Sequence, residues 1–479
     1  MSVVWAFVPA IPTLLDGGLL GSPYTDLYPS VWSVWAPWAA HTDIPTTDLL
    51  NYPNGSGWYP NSVIKSLLAG PLLMFLPVGW VYNTLLLASR FATPLCSYFA
   101  GRAWGLKHAG AMVFAAGFGC TPMLHGFAIE GISEGTDAWT LALWAWAAGR
   151  QKPVAMALFL AVTTLSNWYF GAVCCLLTVI GGFYDRKILL SFAGLGLVLP
   201  FVLTFGSAFP TESIIPADVR YEMGFSWGIE KPNWMTPPNP FAKSNYIGWV
   251  LAGSALLSRK KWLLWSLVPF VLSTGWPWLY EIPIVERIRF PYRWHLATVA
   301  FISLAAGFYA DRKNWTWLGW IIALEGILLS GVDVMFPHSS MQVPVIYQKI
   351  DLPVLDIPGP VAFSPGETNP SRPRAKYFLY AQTQHQQPIP WALDFNGLTT
   401  VDSDWATPWL GWDPVAKMPR VAITNDDIAY LQEIKVGYIL IHVEELGQNR
   451  SKKLQNTLLT LGLSKQFCDT KHCLFQVPQ

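Results

Sequence analysis

DGGLLGSPYTDLYPSVWSVWAPWAAHTDIPTTDLLNYPNGSGWYPNSVIK, residues 16–65, lies between a short apolar segment (VVWAFVPAIPTLL, residues 3–15) and a long series of hydrophobic stretches. It is rich in acids, Trp, Pro and Gly. Aromatic rings are amphipathic and settle at the headgroup level of a bilayer, so the stretch is expected to lie on a membrane surface as a folded cap. Within it Asp26 stands between Tyr24 and Tyr28, just ahead of an aromatic run. An ionisable group held stiffly at a membrane boundary is a candidate active-site acid or base. The same position also reads as the N-cap of the helix that follows, and the two roles are compatible.

The whole chain supports the membrane reading. Of its 479 residues 52% are apolar and only 13% charged, against roughly 25% charged in soluble domains. The net charge of +1 gives no reason to expect nucleic acid as a partner. Residues 3–15 lack a basic n-region and a small-residue cleavage site, so they do not read as a cleaved signal. They are also short of the roughly 20 residues a span needs. Residues 63–77, broken by Gly70 and Pro71 and closed by Pro77, read as a short re-entrant or interfacial helix. Further spans are expected over 79–101, 108–125, 137–149, 153–164, 171–184, 188–206, 245–258, 262–278, 290–310 and 315–334. With residues 3–15 that makes an α-helical polytopic membrane protein of about eleven transmembrane helices.

Charge placement orients them. Alternate connections carry Arg102 and Lys107, Arg150 and Lys152, Arg186 and Lys187, Arg259 with Lys260 and Lys261, and Arg312 with Lys313. Short basic connections stay in the cytoplasm, which puts the N-terminus inside and the 16–65 cap, the 207–244 loop, the 279–289 loop and the C-terminal region outside. After Met335 the chain turns polar and Pro-rich. Residues 337–479 read as a small soluble α/β domain, with a helix passing into a buried strand at 429–443, a second helix at 451–463 and a last strand at 473–477. Cys468 and Cys473 flank a tight polar turn, and a disulfide there suits an oxidising compartment. A metal site joining them with His472 lacks ligands. The other four cysteines fall in apolar stretches and read as small core residues.

Polar residues of the outer loops are the candidates for chemistry. The cap offers Asp16, Asp26, Asp43 and Asp48. The next outer turn offers His125, Glu130, Glu134 and Asp137, and SNWYFG (residues 166–171) offers Asn167 and Tyr169. Arg287, Arg289 and Arg293 enter a late helix beside Glu281 and Glu286. Three guanidiniums at a membrane rim suit a phosphate, which accepts bidentate contacts, and a lipid-linked phosphate is the natural ligand there. The plainer readings are headgroup snorkelling or pairing with the two glutamates for the arginines, a satisfied helix-end residue for His125, and a solvated turn for Glu130 and Glu134. Asp402-Ser403-Asp404 spells a short acidic motif that chance produces often. Glu325 is a lone acid in the last helix.

The arrangement resembles the GT-C superfamily of polytopic glycosyltransferases, in particular its bacterial branch. The resemblance rests on TDLYPSVWSVW (25–35) in a long first outer loop, YPNG (52–55), VYNTLLL (81–87), HGFAIEG (125–131), SNWYFG, RIRFPYRW (287–294) and a soluble α/β tail. It implies a sugar transferred from a polyprenyl-phosphate-linked donor to an acceptor on the outer face of a bacterial cytoplasmic (inner) membrane. Asp26 would serve as the base, the arginines would hold the donor phosphate, and Asp16, His125, Glu130, Asn167 and Tyr169 would line the substrates. A divalent ion, Mg or Mn, is compatible with it. The sequence departs from the pattern in having a single acid ahead of the aromatic run and a short first helix. Those departures keep a second reading open, an inactive GT-C-like scaffold that holds a protein partner in a membrane complex. A transporter is disfavoured, because its ionisable groups would sit near the midplane in repeated halves.

Overall fold

The computed structural model describes all residues except 24, 40–41, 44–45, 51, 54, 58–59, 207–245, 259–261, 275–290, 360–376, 391–406, 411, 413–420 and 479. The chain divides into two compact units. One comprises Met1–Val34, Pro60–Leu203 and Ile215–Met341; the other comprises Trp35–Tyr59, Thr204–Ile214 and Gln342–Gln479.

The first unit is helical. Pro9 and Pro12 break its opening segment into α1 (Ser2–Phe7), a 3-10 turn and α2 (Ile11–Leu15). A short strand β1 (Gly18–Leu20) then pairs antiparallel with β2 (His338–Ser340), tying the start of the chain to the segment that follows the last helix. There follow α3 (Leu27–Trp35), α4 (Val63–Leu73) and α5 (Val78–Ala103). At 26 residues, α5 is roughly 39 Å long at 1.5 Å per residue. Beyond it, α6 (His108–Phe114) runs through a π-helical turn toward α7 (Pro122–Ile129). The unit continues with α8 (Ala138–Gly149), α9 (Pro153–Ser166), α10 (Trp168–Gly182), α11 (Leu195–Gly206), α12 (Trp249–Ser258), α13 (Trp262–Ser273), α14 (His295–Lys313) and α15 (Trp317–Leu329).

Within the described residues each of the ten segments expected after residue 77 carries helix, but most of these helices are shorter than spans, and the count of about eleven transmembrane helices is not reproduced. Among the described residues, two helical runs, His108–Ile129 and Arg186–Phe205, are long and apolar enough to cross a bilayer, and seven more apolar helices have 10–17 residues. Local chemistry does the shortening. The Asn167 side chain accepts from the backbone N–H groups of Tyr169 and Phe170, which ends α9 and starts α10 where a single span would have continued. The helices still carry an inverted surface: Val154 is 84% and Leu203 68% exposed, while Asn83, Ser97, Thr140 and Ser303 are buried. Glu325 on α15 is buried too. It accepts from the Tyr246 hydroxyl at 3.1 Å and from the N–H groups of Trp249 at 2.7 Å and Val250 at 3.1 Å. The lone acid of the last helix is therefore the anionic cap of α12.

The second unit is built on a mixed sheet. β3 (Val354–Ile357) lies parallel to β4 (Tyr438–His442), which pairs antiparallel with β6 (His472–Gln476), and β6 pairs in turn with β5 (Ser464–Cys468). Helices Asn425–Glu433 and Gln448–Thr460 accompany it, the first opened by a capping box between Thr424 and Asp427. Cys468 and Cys473 form a disulfide across the β5–β6 hairpin. Part of the 16–65 stretch belongs here. Tyr52 N–H donates to the Ile389 carbonyl at 3.1 Å, Ile389 N–H to the Leu49 carbonyl at 3.0 Å, and the Gln382 amide to the same Leu49 oxygen at 2.7 Å. The cap is thus two pieces: residues up to Val34 fold with the helices, and Trp35–Tyr59 with the sheet.

Candidate active site

Two glycines let the loop ahead of α3 meet the end of α7. Gly131 has φ +69°, and a Cβ there would stand 2.6 Å from the Leu27 Cα; Gly21 has φ +139°, and a Cβ there would stand 2.8 Å from the Gly131 Cα. Only glycine accepts both the backbone conformation and the approach. Three hydrogen bonds use this closeness. Ser22 N–H donates to the Ile129 carbonyl at 2.7 Å, Asp26 N–H to the Glu130 carbonyl at 3.3 Å, and the Thr25 hydroxyl to the same Glu130 oxygen. The Asp26 carbonyl accepts the first helical bond of α3, from Ser30 at 2.9 Å. Asp26 therefore occupies the helix-start position expected of it and is fixed beside Glu130.

Glu134 completes the acidic side. It sits in a 3-10 turn, Ser133–Thr136, between α7 and α8. Burial raises the carboxyl of Glu130 to about 7, with a Thr25 hydrogen bond working against the rise and the neighbouring Asp26 adding to it. Burial raises Glu134 to about 7 as well; Arg293 opposes that rise and Asp26 supports it. One carboxylate oxygen of Glu134, Oε2, is buried without a hydrogen-bond partner among the described residues. A solvated turn is thereby ruled out for both glutamates.

The cation facing them comes from the 3-10 turn Pro291–Trp294 that opens α14. Arg293 is 6% exposed. Its guanidinium carbon lies 4.1 Å from the centre of the Tyr169 ring and 5.3 Å from that of Phe127, a cation–π sandwich that solvates the charge. It interacts electrostatically with Glu134, Tyr292 and Tyr169. Asn167 links the parts: its amide donates to the Glu134 carbonyl at 3.0 Å while its oxygen caps the helix that carries Tyr169. Asp26, Glu130, Glu134, Tyr169 and Arg293 thus converge at one end of the helical unit, contributed by four separate stretches of chain.

The other expected residues lie elsewhere. Asp16 is exposed at the C-cap of α2, and none of its contacts among the described residues reaches this cluster. The His125 ring is 3.0 Å from Arg90 Nη1 through Nδ1 and 2.8 Å from the Asp333 carbonyl through Nε2, with Trp5 alongside at 5.3 Å between ring centres. Arg287, Arg289 and the Asp402–Asp404 motif fall outside the described residues. Arg90 and the buried ion pair of Lys65 with Asp137 were not singled out from the sequence. A charge inside an apolar helix was the available signal for Arg90, since such a residue has to find partners. Among the described residues no group of three or more His, Cys, Asp or Glu is set to hold a metal ion, so the donor set for Mg or Mn is not found there.

Solved structures share this architecture. The mycobacterial arabinofuranosyltransferase AftD superposes on all of this chain and on 40% of its own, with a TM-score of 0.59 at 14% identity. The oligosaccharyltransferase of Archaeoglobus fulgidus, solved in complex with zinc and sulfate, covers 92% of this chain and 67% of its own, with a TM-score of 0.51 at 13% identity. The fold is GT-C. The chain spans about 40% of the length of AftD. No family model and no curated protein matches it in sequence, so the likeness lies in the arrangement of the helices.

Proposed function

We propose that this chain is a membrane glycosyltransferase that moves a sugar from a polyprenyl-phosphate-linked donor to an acceptor hydroxyl at the outer face of a bacterial cytoplasmic membrane. The observation that carries the reading is the convergence of Asp26, Glu134 and Arg293 from distant parts of the chain. Asp26 takes the proton of the acceptor hydroxyl as its oxygen bonds to the anomeric carbon. The donor phosphate leaves with the electrons of the broken C–O bond and meets Arg293, assisted by Arg287 and Arg289 from the preceding sequence. The GT-C fold agrees with this chemistry, as does the placement of charge on α14, which has Arg293 just ahead of its first turn and Arg312 and Lys313 in its last. That polarity supports a reading with the basic connection inside and the acidic cluster outside. The disulfide Cys468–Cys473 suits the same side.

The decisive measurement is transfer of radiolabelled sugar from polyprenyl-phosphate donors by the purified protein in nanodiscs. Asp26→Asn should fold and lose about 10²–10⁴ in rate, the share general-base help supplies. Wild-type activity in that variant removes Asp26 from the mechanism. One observation favours the scaffold reading: the guanidinium that should meet a phosphate is covered by Tyr169 and Phe127. Mass spectrometry of copurified lipid separates the two readings, because an enzyme should carry a polyprenyl phosphate that Arg293→Gln loses, whereas a scaffold carries bulk lipid in both forms.

A further inference from the structure

Behind the acidic turn lies a buried ion pair. Lys65, in the first turn of α4, is 2.9 Å from Asp137 Oδ1, and the two side chains are 4% and 1% exposed. The lysine ammonium also donates to the Ser133 carbonyl and, at 3.0 Å, to the Thr136 hydroxyl. Asp137 accepts from Ser62 at 2.9 Å and from Ser89 at 2.7 Å. Every one of these contacts falls on the Ser133–Thr136 turn, on its immediate neighbour Asp137, or on the α4 and α5 residues that face it. The residue in the middle of that turn is Glu134.

Burying two charges costs several kcal/mol per ion and is repaid only where geometry and hydrogen bonding are good. A plain helix contact could be made by apolar side chains at no such cost. What the ion pair adds is a fixed backbone on both sides of Glu134 and a positive charge at its back. We propose that Lys65, held by Asp137, is a positioning residue for Glu134, fixing the carboxylate that faces Arg293 and setting its charge. The inference deepens the sugar-transfer reading, on which the use of Glu134 rests. Electrostatics agree, since Lys65 is among the groups that oppose the upward displacement of Glu134.

The test reads Glu134 directly. In the full-length protein in nanodiscs, the infrared band of protonated carboxyl groups is followed against pH, and the part due to Glu134 is assigned by its loss in Glu134→Gln. Lys65→Met should move the Glu134 midpoint upward by a resolvable fraction of a pH unit, since a positive charge that opposes the rise is removed. Lys65→Arg, which keeps the charge and the donors, should return it toward the wild-type value. The double variant Lys65→Met with Asp137→Leu removes the uncompensated carboxylate and should regain thermal stability, as apolar replacements of buried pairs do. Its midpoint should stay displaced. A midpoint unmoved in Lys65→Met, or restored in the double variant, overturns the proposal and leaves the pair a packing contact; if the single variant does not fold, the double variant decides alone. The titration needs no sugar donor, so it fails independently of the transferase reading, which falls on the transfer assay with Asp26→Asn.

Discussion

Two arginines are buried in the helical unit, and their surroundings differ. Arg293 faces acids: Glu134, one oxygen of which has no hydrogen-bond partner among the described residues, and Asp26 acting on the same glutamate. Arg90, in the middle of α5, has no carboxylate in contact among the described residues. It lies between the rings of Trp5 and Phe336, each 5.2 Å from its guanidinium carbon, donates to the Trp5 carbonyl at 2.7 Å and meets His125. Both charges are solvated by aromatic faces, so a cation–π sandwich alone does not mark a site. Arg90 fastens the first helix, α5, α7 and the segment after α15 with neutral partners. At Arg293 excess negative charge is held next to a cation, an arrangement whose balance an incoming phosphate would change.

Replacing each arginine should separate these roles. Arg293→Gln is expected to cost about 10²–10³ in sugar transfer, the usual loss when a preorganised donor to a developing anion is removed. Arg90→Met should leave transfer per folded molecule within about twofold. It should instead lower stability by about 1–3 kcal/mol, because the Trp5 carbonyl and the His125 ring lose their buried partner. Equal loss of transfer in both variants at matched folded fraction would erase the distinction. Gly131→Ala comes next in size. It strains a left-handed backbone and pushes on Leu27, so a destabilisation of about 1–3 kcal/mol is expected, with a clear fall in transfer as Asp26 moves off the Glu130 carbonyl. If transfer and thermal stability are both unchanged, Asp26 is not held by that contact.

A smaller effect concerns pH. Glu130 and Glu134 have an ordinary value of 4.5 and stand at about 7 in the folded chain. Their folded forms hold protons that the unfolded chain has already released between those values. The associated stability is complete below 4.5 and is lost as pH rises through 7. The thermal midpoint should therefore fall between pH 5 and 8, and Glu134→Gln should flatten part of that slope. A slope unchanged by Glu130→Gln and Glu134→Gln together would place its origin elsewhere.

Much of the fold was legible because it rests on local signals. Apolar runs bounded by Pro, Gly and basic pairs located the helices from α5 to α15, with α6 and α7 read as one segment over 108–125, and the change of composition after Met335 marked the approach of the sheet. The site was harder to read. Asp26 and Arg293 stood out as charges beside aromatic runs, but nothing in GISEGTD told a solvated turn from a buried one. That outcome depends on Gly21 and Gly131 meeting, residues 110 positions apart. His125 was drawn to the site by its neighbours in HGFAIEG, yet its ring goes to Arg90 while the end of the same helix goes to Asp26. Lys65 looked like the start of an interfacial helix, because its partner Asp137 lies beyond α5 and its pairing is tertiary.

Asp16 offers the finest test of the contrast between charges that converge and charges that merely share a loop. It lies ten residues before Asp26 in the same polar stretch, where the sequence offers it as a substrate-lining acid and Asp26 as the base. The structure separates them. Asp16 ends α2 as an exposed C-cap whose N–H bonds back to Pro12, and between the two acids β1 commits the chain to pairing with β2. An exposed carboxylate is well hydrated, and its removal leaves no buried partner behind, so surface changes of this kind usually stay within about 0.5 kcal/mol. Asp16→Asn should accordingly leave thermal stability and sugar transfer indistinguishable from wild type, with any change in rate under about twofold. A tenfold loss would mean that the α2 end reaches the acceptor, and the acidic cluster would then have to be extended beyond Asp26, Glu130 and Glu134.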